Sequence, residues 1–460
     1  MKARTLLPII AVLLIIVSVL VIIAWKTQAK LVKVSPLAGE NNIADTTSIR
    51  LEFSRPMDQS SVISHLAIEP AMDGGYSWTG NSLVFTPSKP WESGQQVTVS
   101  LESGARAASW LAFPAGRQSW SFTTSESTLV YLWPADGAAD IYALDPVTGS
   151  IRHYTQGMDV LELIANPDGH WLYFSAGNSQ GGSDLYQIDR IMVDSSLEQV
   201  YQPEKLLDCG VSQCRNPAIS ADGTTLAYEY LLPKASGSLG PAQIWSLKLA
   251  GLVATPVGQA GHETVQPAWS PDGLLAYYDR TDSAYEIYNP ASQARLQLPN
   301  QTGQPGAWSP DGQYYLAPEI SYQPSDGSHE TGSSHLLRYD IQDQGIQDLS
   351  GKGAVEDVEA AYSPDGSMIA FTRKYLDTNR WSPGRQLWLM GSDGSDPHPL
   401  SEAADYNHYD LAWSRDGSML AYVRFNQVKI SDPPELWMVD QGGNQPLQLV
   451  IGGYSPLWIP

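Results

Sequence analysis

Nine acidic and imidazole side chains fall at one recurring place in this chain. They are Asp159 and Glu162, His262 and Glu263, Glu356, Asp357 and Glu359, and His408 and Asp410. Each group lies just ahead of a strand-like stretch that ends in a Ser-Pro-Asp-Gly-type word. Carboxylates brought to one mouth can hold a hard cation through oxygen, or grip a basic peptide or an amine. With imidazoles beside them they can also serve as the acid and base of sugar chemistry. The plainer reading competes with these: an acidic protein carries such residues in solvated loops for solubility alone. No cofactor is expected, and a divalent cation at the mouth is the metal that an oxygen-rich set would suit.

Other patterns that look chemical read as structural. Gly177-Asn178-Ser179-Gln180-Gly181 fits the Gly-x-Ser-x-Gly nucleophile pattern, which works only at a strand-to-helix elbow. Flanked by Leu172-Tyr173-Phe174 and Asp184-Leu185-Tyr186, it is expected to be a hairpin. Asp168, Asp222, Asp272, Asp311, Asp365 and Asp416 occur once per repeat, so each is expected to cap its own turn. His65, His153, His170, His329, His335 and His398 show no ligand spacing, and His329 and His335 are expected in a mobile polar loop. Cys209 and Cys214 are the only cysteines. Outside the membrane they are expected to pair as a disulfide, because a zinc site would find only two of its ligands here.

The elements that position these residues are repeats. The turn words start at Asn166, Ser220, Ser270, Ser309, Ser363 and Ser414, at spacings of 54, 50, 39, 54 and 51 residues. A period of this size signals a stacked or radial array. One unit, residues 266–298, reads strand, tight turn, strand, loop, strand, turn, strand, which is the content of one propeller blade. Pro presets the turn, Asp bonds its amides, and Gly takes the positive φ that closes it. Three strands in residues 128–156 lack a leading partner. Pro456-Leu457-Trp458-Ile459-Pro460 matches Pro267-Ala268-Trp269-Ser270-Pro271 position for position. The last strand is therefore expected to complete the first blade and leave no free edge. Six units plus this shared one make seven blades, with six or eight left open by the short 39-residue spacing. In a propeller the link into each inner strand reaches the mouth of the central channel, which is where the nine candidates would gather.

Residues 31–126 differ from the repeats and read as short alternating strands of sandwich size. Their local words are Ser35-Pro36, Phe53-Ser54-Arg55-Pro56-Met57-Asp58, Phe85-Thr86-Pro87 and Phe122-Thr123-Thr124. These resemble the SbsA-type bacterial Ig-like domain, a family that implies a spacer or cell-surface adaptor. The Pro-Asp-Gly repeats resemble the WD-repeat-like units of TolB-like β-propellers. That family implies a periplasmic or surface protein, and includes docking platforms, oligosaccharide-degrading enzymes and the gating domains of prolyl oligopeptidases. No hydrolase domain follows the repeats, so peptidase chemistry is not expected.

The chain of 460 residues holds 27 Lys/Arg against 49 Asp/Glu, a formal charge of −22. Lys2, Arg4, Lys26, Lys30 and Lys33 lie in the first 33 residues without an acid, so the remainder stands at 22 − 49 = −27. A body that acidic repels phosphate backbones, and nucleic-acid binding is not expected. Residues 6–25 carry no charge and, at 1.5 Å per residue, would span about 30 Å as a helix. Their length and their end at Trp25-Lys26 favour an uncleaved anchor over a signal peptide. Flanking charges do not orient it, but the resemblance implies the N-terminus inside and the bulk outside. The expected protein is all-β: a cytoplasmic tip and transmembrane signal anchor (1–30), an Ig-like domain (31–126) and a seven-bladed propeller (127–460). Its expected role is extracytoplasmic recognition of an envelope protein, peptide or glycan at the acidic mouth, without catalysis. The alternative is a polysaccharide lyase or glycosidase using the same residues.

Overall fold

The computed structural model describes every residue except 1–27, 41–42, 44, 46, 110–113, 125–126, 196–201, 324–330 and 445. The apolar stretch at residues 6–25 therefore lies outside the described residues. Among those described, no helix is long and apolar enough to cross a membrane. The chain divides into two compact units between Glu126 and Ser127.

The first unit holds two antiparallel sheets over one core. One sheet orders Leu31–Ser35, Ile49–Phe53, Ser82–Pro87 and Gly74–Thr79. The other orders Leu66–Glu69, Gln96–Leu101 and Gln118–Thr123. Alternation does the work: in Ile49–Phe53 positions one, three and five are buried and the two between are exposed. Phe53, Phe85, Phe122 and Trp91 fill the middle, and the sealed Trp91 indole donates to the Thr47 carbonyl at 2.9 Å. One element departs from the all-strand expectation. Gln59–His65 is a helix, capped by Asp58, whose carboxylate accepts from the Ser61 N–H at 3.0 Å.

In the second unit the strands pair in antiparallel sets of four. Thr264–Trp269, Leu275–Asp279, Ala284–Tyr288 and Arg295–Pro299 form one sheet. Tyr406–Trp413, Met419–Asn426, Glu435–Asp440 and Leu447–Ile451 form another. Two eight-stranded sheets are each two sets, joined at a single parallel bridge: Ser183 with Gln213, and Ser334 with Glu356. In the remaining sheet Thr128–Trp133, Asp140–Leu144 and Ile151–His153 are joined by the far end of the chain, Tyr454–Ile459 running antiparallel to Thr128–Trp133.

The first strand of each set touches the first strand of the next. The order runs from Val160–Ala165 through Gln213–Ile219, Thr264–Trp269, Ala307–Trp308, Val355–Tyr362 and Tyr406–Trp413 to Tyr454–Ile459, which touches Val160–Ala165 again. Tryptophans of the turn words tie these neighbours together. Trp308 donates its indole N–H to the Ala268 carbonyl at 3.0 Å, Trp413 to Ala361 at 3.1 Å and Trp458 to Ala412 at 3.1 Å. Each is an aromatic on one first strand reaching the backbone of the preceding one.

The turn words themselves are self-contained. Ser220, Ser309, Ser363 and Ser414 each donate a hydroxyl to the aspartate two residues on, at 2.6 Å. Those aspartates also accept the N–H two residues further along, at 3.0–3.1 Å. Every lone pair in use serves the turn.

Trp458 is 7% exposed and packs with Leu129, Tyr131 and Ala421. Trp458→Ala is expected to lower unfolding free energy by about 3–5 kcal/mol, as large core truncations do. A urea unfolding curve of the full chain reads this directly. A loss under about 1 kcal/mol would mean that the terminal strand is not integral to the unit.

Candidate functional site

The first strands are not regular. Asn216, Gln266, Glu359, Asp410 and Ser455 all have φ between 47° and 59°, and at each of them the pairing with the second strand slips. Such a bulge turns one peptide out of the ladder and frees its N–H. In this chain the freed groups find carboxylates of the preceding set. The Gln266 N–H donates to Glu229 at 2.8 Å, that of Ser455 to Asp410 at 3.3 Å and that of Asn216 to Glu162 at 3.5 Å. The Asp410 N–H bonds the Glu359 carboxylate in the same way. Three of the sequence candidates, Glu162, Glu359 and Asp410, thus hold the next strand before they meet anything else.

They also converge. The Tyr454 hydroxyl is pushed up by burial and then by the nearby charges of Asp159, Glu162 and Asp410. Tyr409 is raised by burial and then by Asp410 and Glu359. Four carboxyls therefore lie within electrostatic reach of two tyrosines. Burial pushes Glu359 up, with Asp410 adding to it, and burial likewise raises Asp410. Asp159 is exposed, and its carboxylate lies where a side chain at Gly177 would have to go. Glu162 is met by Arg215, whose Nε and Nη2 donate at 3.1 and 2.9 Å. Beside it a cleft of about 330 Å3 is lined by Arg215, Asn216, Glu229, Glu263, Gln266 and Arg280.

The other candidates lie apart from this convergence. Glu263 pairs with Arg280 at 2.7 Å on the cleft wall. Glu356 accepts from Arg385 Nε at 3.0 Å. Asp357 and His408 correct the sequence expectation, because both are fully buried and cannot face a ligand at a mouth. Asp357 takes a two-point bond from Arg373, at 2.7 and 2.6 Å, inside the sheet. His408 donates Nδ1–H to the Arg385 carbonyl at 2.7 Å, and burial lowers it to about 4, so it stays neutral.

His262 lies 2.7 Å from Asp279 and 3.8 Å from Asp282, three donors close enough to one another for a metal. The shorter distance is that of a hydrogen bond, and Asp279 Oδ1 already accepts the N–H groups of Thr281 and Asp282. The arrangement is an imidazole hydrogen-bonded to a carboxylate, with His262 raised mainly by that bond to Asp279.

Several other readings resolve as well. Asn178 through Gly182 form a hairpin closed by the Asn178 side chain, which accepts from Gln180 and Gly182 and donates to Asp184, and the element that follows Ser179 is the strand Ser183–Asp189. Cys209 and Cys214 form a disulfide. His335 is not in a mobile loop: it sits in the strand Thr331–Asp340, fully buried, bonded to Asp348 at 2.7 Å and to the Gly353 carbonyl at 3.1 Å. His329 lies outside the described residues. Glu229 was not among the candidates. Its signal was a lone acid in Ala227-Tyr228-Glu229-Tyr230, on an otherwise apolar second strand.

Residues 26–124 match the bacterial Ig-like domain family. The first unit is a bacterial Ig-like domain. Among solved structures the chain is similar to a puromycin-hydrolysing peptidase from Mycobacterium tuberculosis, at 12% identity and a TM-score of 0.51, over 90% of this chain and 57% of that one. It is also similar to TolB from Acinetobacter baumannii (12% identity, 94% and 99% covered, TM-score 0.44). A third is the β-propeller domain of the Trilobed protease from Pyrococcus furiosus (13%, 63% and 83%, 0.43). The likeness is one of fold. The four-stranded sets of residues 127–460 have the plan of a β-propeller.

Two outcomes follow from the charges. Asp357→Ala would leave Arg373 buried and unpaired, and is expected to cost about 3–5 kcal/mol in denaturant unfolding. The raised Glu359 and Asp410 keep protons that the unfolded chain gives up, so stability falls as pH rises above the ordinary carboxylate range. Glu359→Gln with Asp410→Asn keeps the acceptors and removes this penalty. Its melting temperature is expected to exceed wild type near pH 7, with the gain shrinking toward about pH 4. An equal difference at both pH values would contradict the raised carboxyls.

Proposed function

We propose that the protein is a membrane-anchored, extracytoplasmic binding protein. In this reading residues 6–25 form the anchor, the Ig-like domain is a spacer, and residues 127–460 form a closed propeller of seven blades. Its ligand is a segment of an envelope protein or peptide that presents Lys or Arg to the acidic ring. The observation that carries this is the gathering of Asp159, Glu162, Glu359 and Asp410 around Tyr454 and Tyr409. Among the contacts of the described residues, Glu162 is the one of the four seen bonded to a guanidinium. The cyclic contact of the first strands supports the closed ring, and the sevenfold count of strand sets supports the blade number. A glycan-cleaving reading draws on one specific feature, the neighbouring raised carboxyls of Glu359 and Asp410, which an acid/base pair would need.

The test uses the full chain in detergent and a fluorescently labelled hexa-arginine peptide, with hexa-glutamate as its opposite. Wild type is expected to bind the basic peptide with an affinity that falls as salt rises. Asp159→Asn with Asp410→Asn is expected to weaken it at least tenfold. Equal binding by both proteins would sink the ring as a binding site. Release of new reducing ends from polygalacturonate, abolished by Glu359→Gln, would favour the enzyme instead.

A further inference from the structure

Away from the ring, the loop joining Met368–Tyr375 to Gln386–Gly391 faces the link that follows His398–Pro399. Between them lies a cleft of about 350 Å3 walled by Tyr375, Trp381 and Trp388. Each ring carries one of the chain's own cations on a face. Arg380 stands 3.7 Å from the centre of Tyr375, Lys374 4.9 Å from Trp381 and Arg373 5.0 Å from Trp388. A cationic ligand would be opposed there, so this is not an ammonium cage. The two arginines are also neutralised, Arg373 by Asp357 at 2.6 Å and Arg380 by Asp377 at 2.7 Å, so neither offers an anion an unmet charge. The carboxylate on the cleft wall, Glu402, repels an anion further.

What the cleft leaves unmet is of another kind. Trp381 is 57% exposed, and Lys374 lies over its ring. Among the described residues, the Asn379 side-chain amide, the Glu402 carboxylate and the Trp381 indole N–H have no hydrogen-bond partner. Donors and acceptors thus line the cleft together with a flat apolar ring. The adjoining outer strand, His398–Pro399, is two residues long and Pro399 has no N–H, so the cleft lacks a ladder for a peptide main chain.

We propose that this cleft binds a neutral glycan. The C–H face of a pyranose stacks on the electron-rich face of Trp381. Its hydroxyls, each donor and acceptor at once, meet Asn379, Glu402 and the indole N–H. The volume is near the lower end of the range of about 300–1,000 Å3 for small-ligand sites, enough for one or two sugar rings. The proposal is independent of the acidic ring, which lies on the first strands.

Titration calorimetry of the full chain tests it with cellohexaose, chitohexaose and hexagalacturonate, and with a Trp-containing hexapeptide as the non-glycan probe. A neutral hexasaccharide is expected to bind. Trp381→Ala, which removes an exposed side chain, is expected to weaken it at least tenfold, and Asn379→Ala severalfold. Asp159→Asn with Asp410→Asn is expected to leave it unchanged, which separates this site from the ring. Binding of no saccharide, equal binding by Trp381→Ala, or preference for hexagalacturonate or the peptide would each overturn the proposal.

Discussion

The second unit depends on a hydrogen bond that a regular sheet would not make. At the bulge of a first strand one N–H leaves its own ladder, and a buried peptide donor without a partner is costly. A carboxylate from the preceding set accepts it: Glu229 for Gln266, Asp410 for Ser455, Glu162 for Asn216 and Glu359 for Asp410. Non-glycine residues at positive φ cost on the order of 1–3 kcal/mol each, so the surroundings must hold them there. The carboxylate does so from one side, and the tryptophan bonded to the neighbouring backbone does so from another. This exchange adds to the parallel bridges and the Arg215–Glu162 pair in fixing the register of adjacent sets.

This accounts for the acidity of the ring without appeal to any ligand. The same account leaves something over. A carboxylate has room for about four hydrogen bonds and the bulge takes one. Glu162 meets Arg215 with some of the rest, while Asp159 stays exposed and Asp410 stays half-buried. Structure and recognition need not compete at these positions, because the strut fixes the side chain that a ligand would then find already oriented.

Much of this was legible in the residues. The turn words located each hairpin, and the hydroxyl-to-carboxylate bond inside them follows from their spelling. The match between residues 456–460 and 267–271 pointed to the partner of the last strand. What alternation does not report is a bulge, since one extra residue flips the pattern of faces beyond it. Hence Asp357 and His408, each two positions before Glu359 or Asp410, were grouped with them although they lie on the sealed side. A signal was present: four residues before five of the turn words stand Glu162, Asn216, Gln266, Glu359 and Asp410, a polar residue at one fixed place in each strand. His335 was misplaced for a different reason. Its Ser/Gly surroundings read as loop, whereas Asp348 on the adjoining strand supplies the partner that makes a buried imidazole tolerable. The aromatic cleft was not legible, because its two walls come from segments with no shared motif.

The pairing of Tyr454–Ile459 with Thr128–Trp133 has a consequence for how the chain is made. The two strands are more than 300 residues apart, a separation also spanned by the bond from the Trp133 indole to Ile451. At about 5–20 residues per second, a ribosome needs on the order of tens of seconds to supply the second after the first. Throughout that interval Thr128–Trp133 offers an unpaired edge to whatever strand comes near. The Ig-like domain, by contrast, can finish early, since its contacts close within its own residues. The newborn protein is therefore one finished domain trailing an open array, and its hazard during synthesis is greatest just before the last strand arrives.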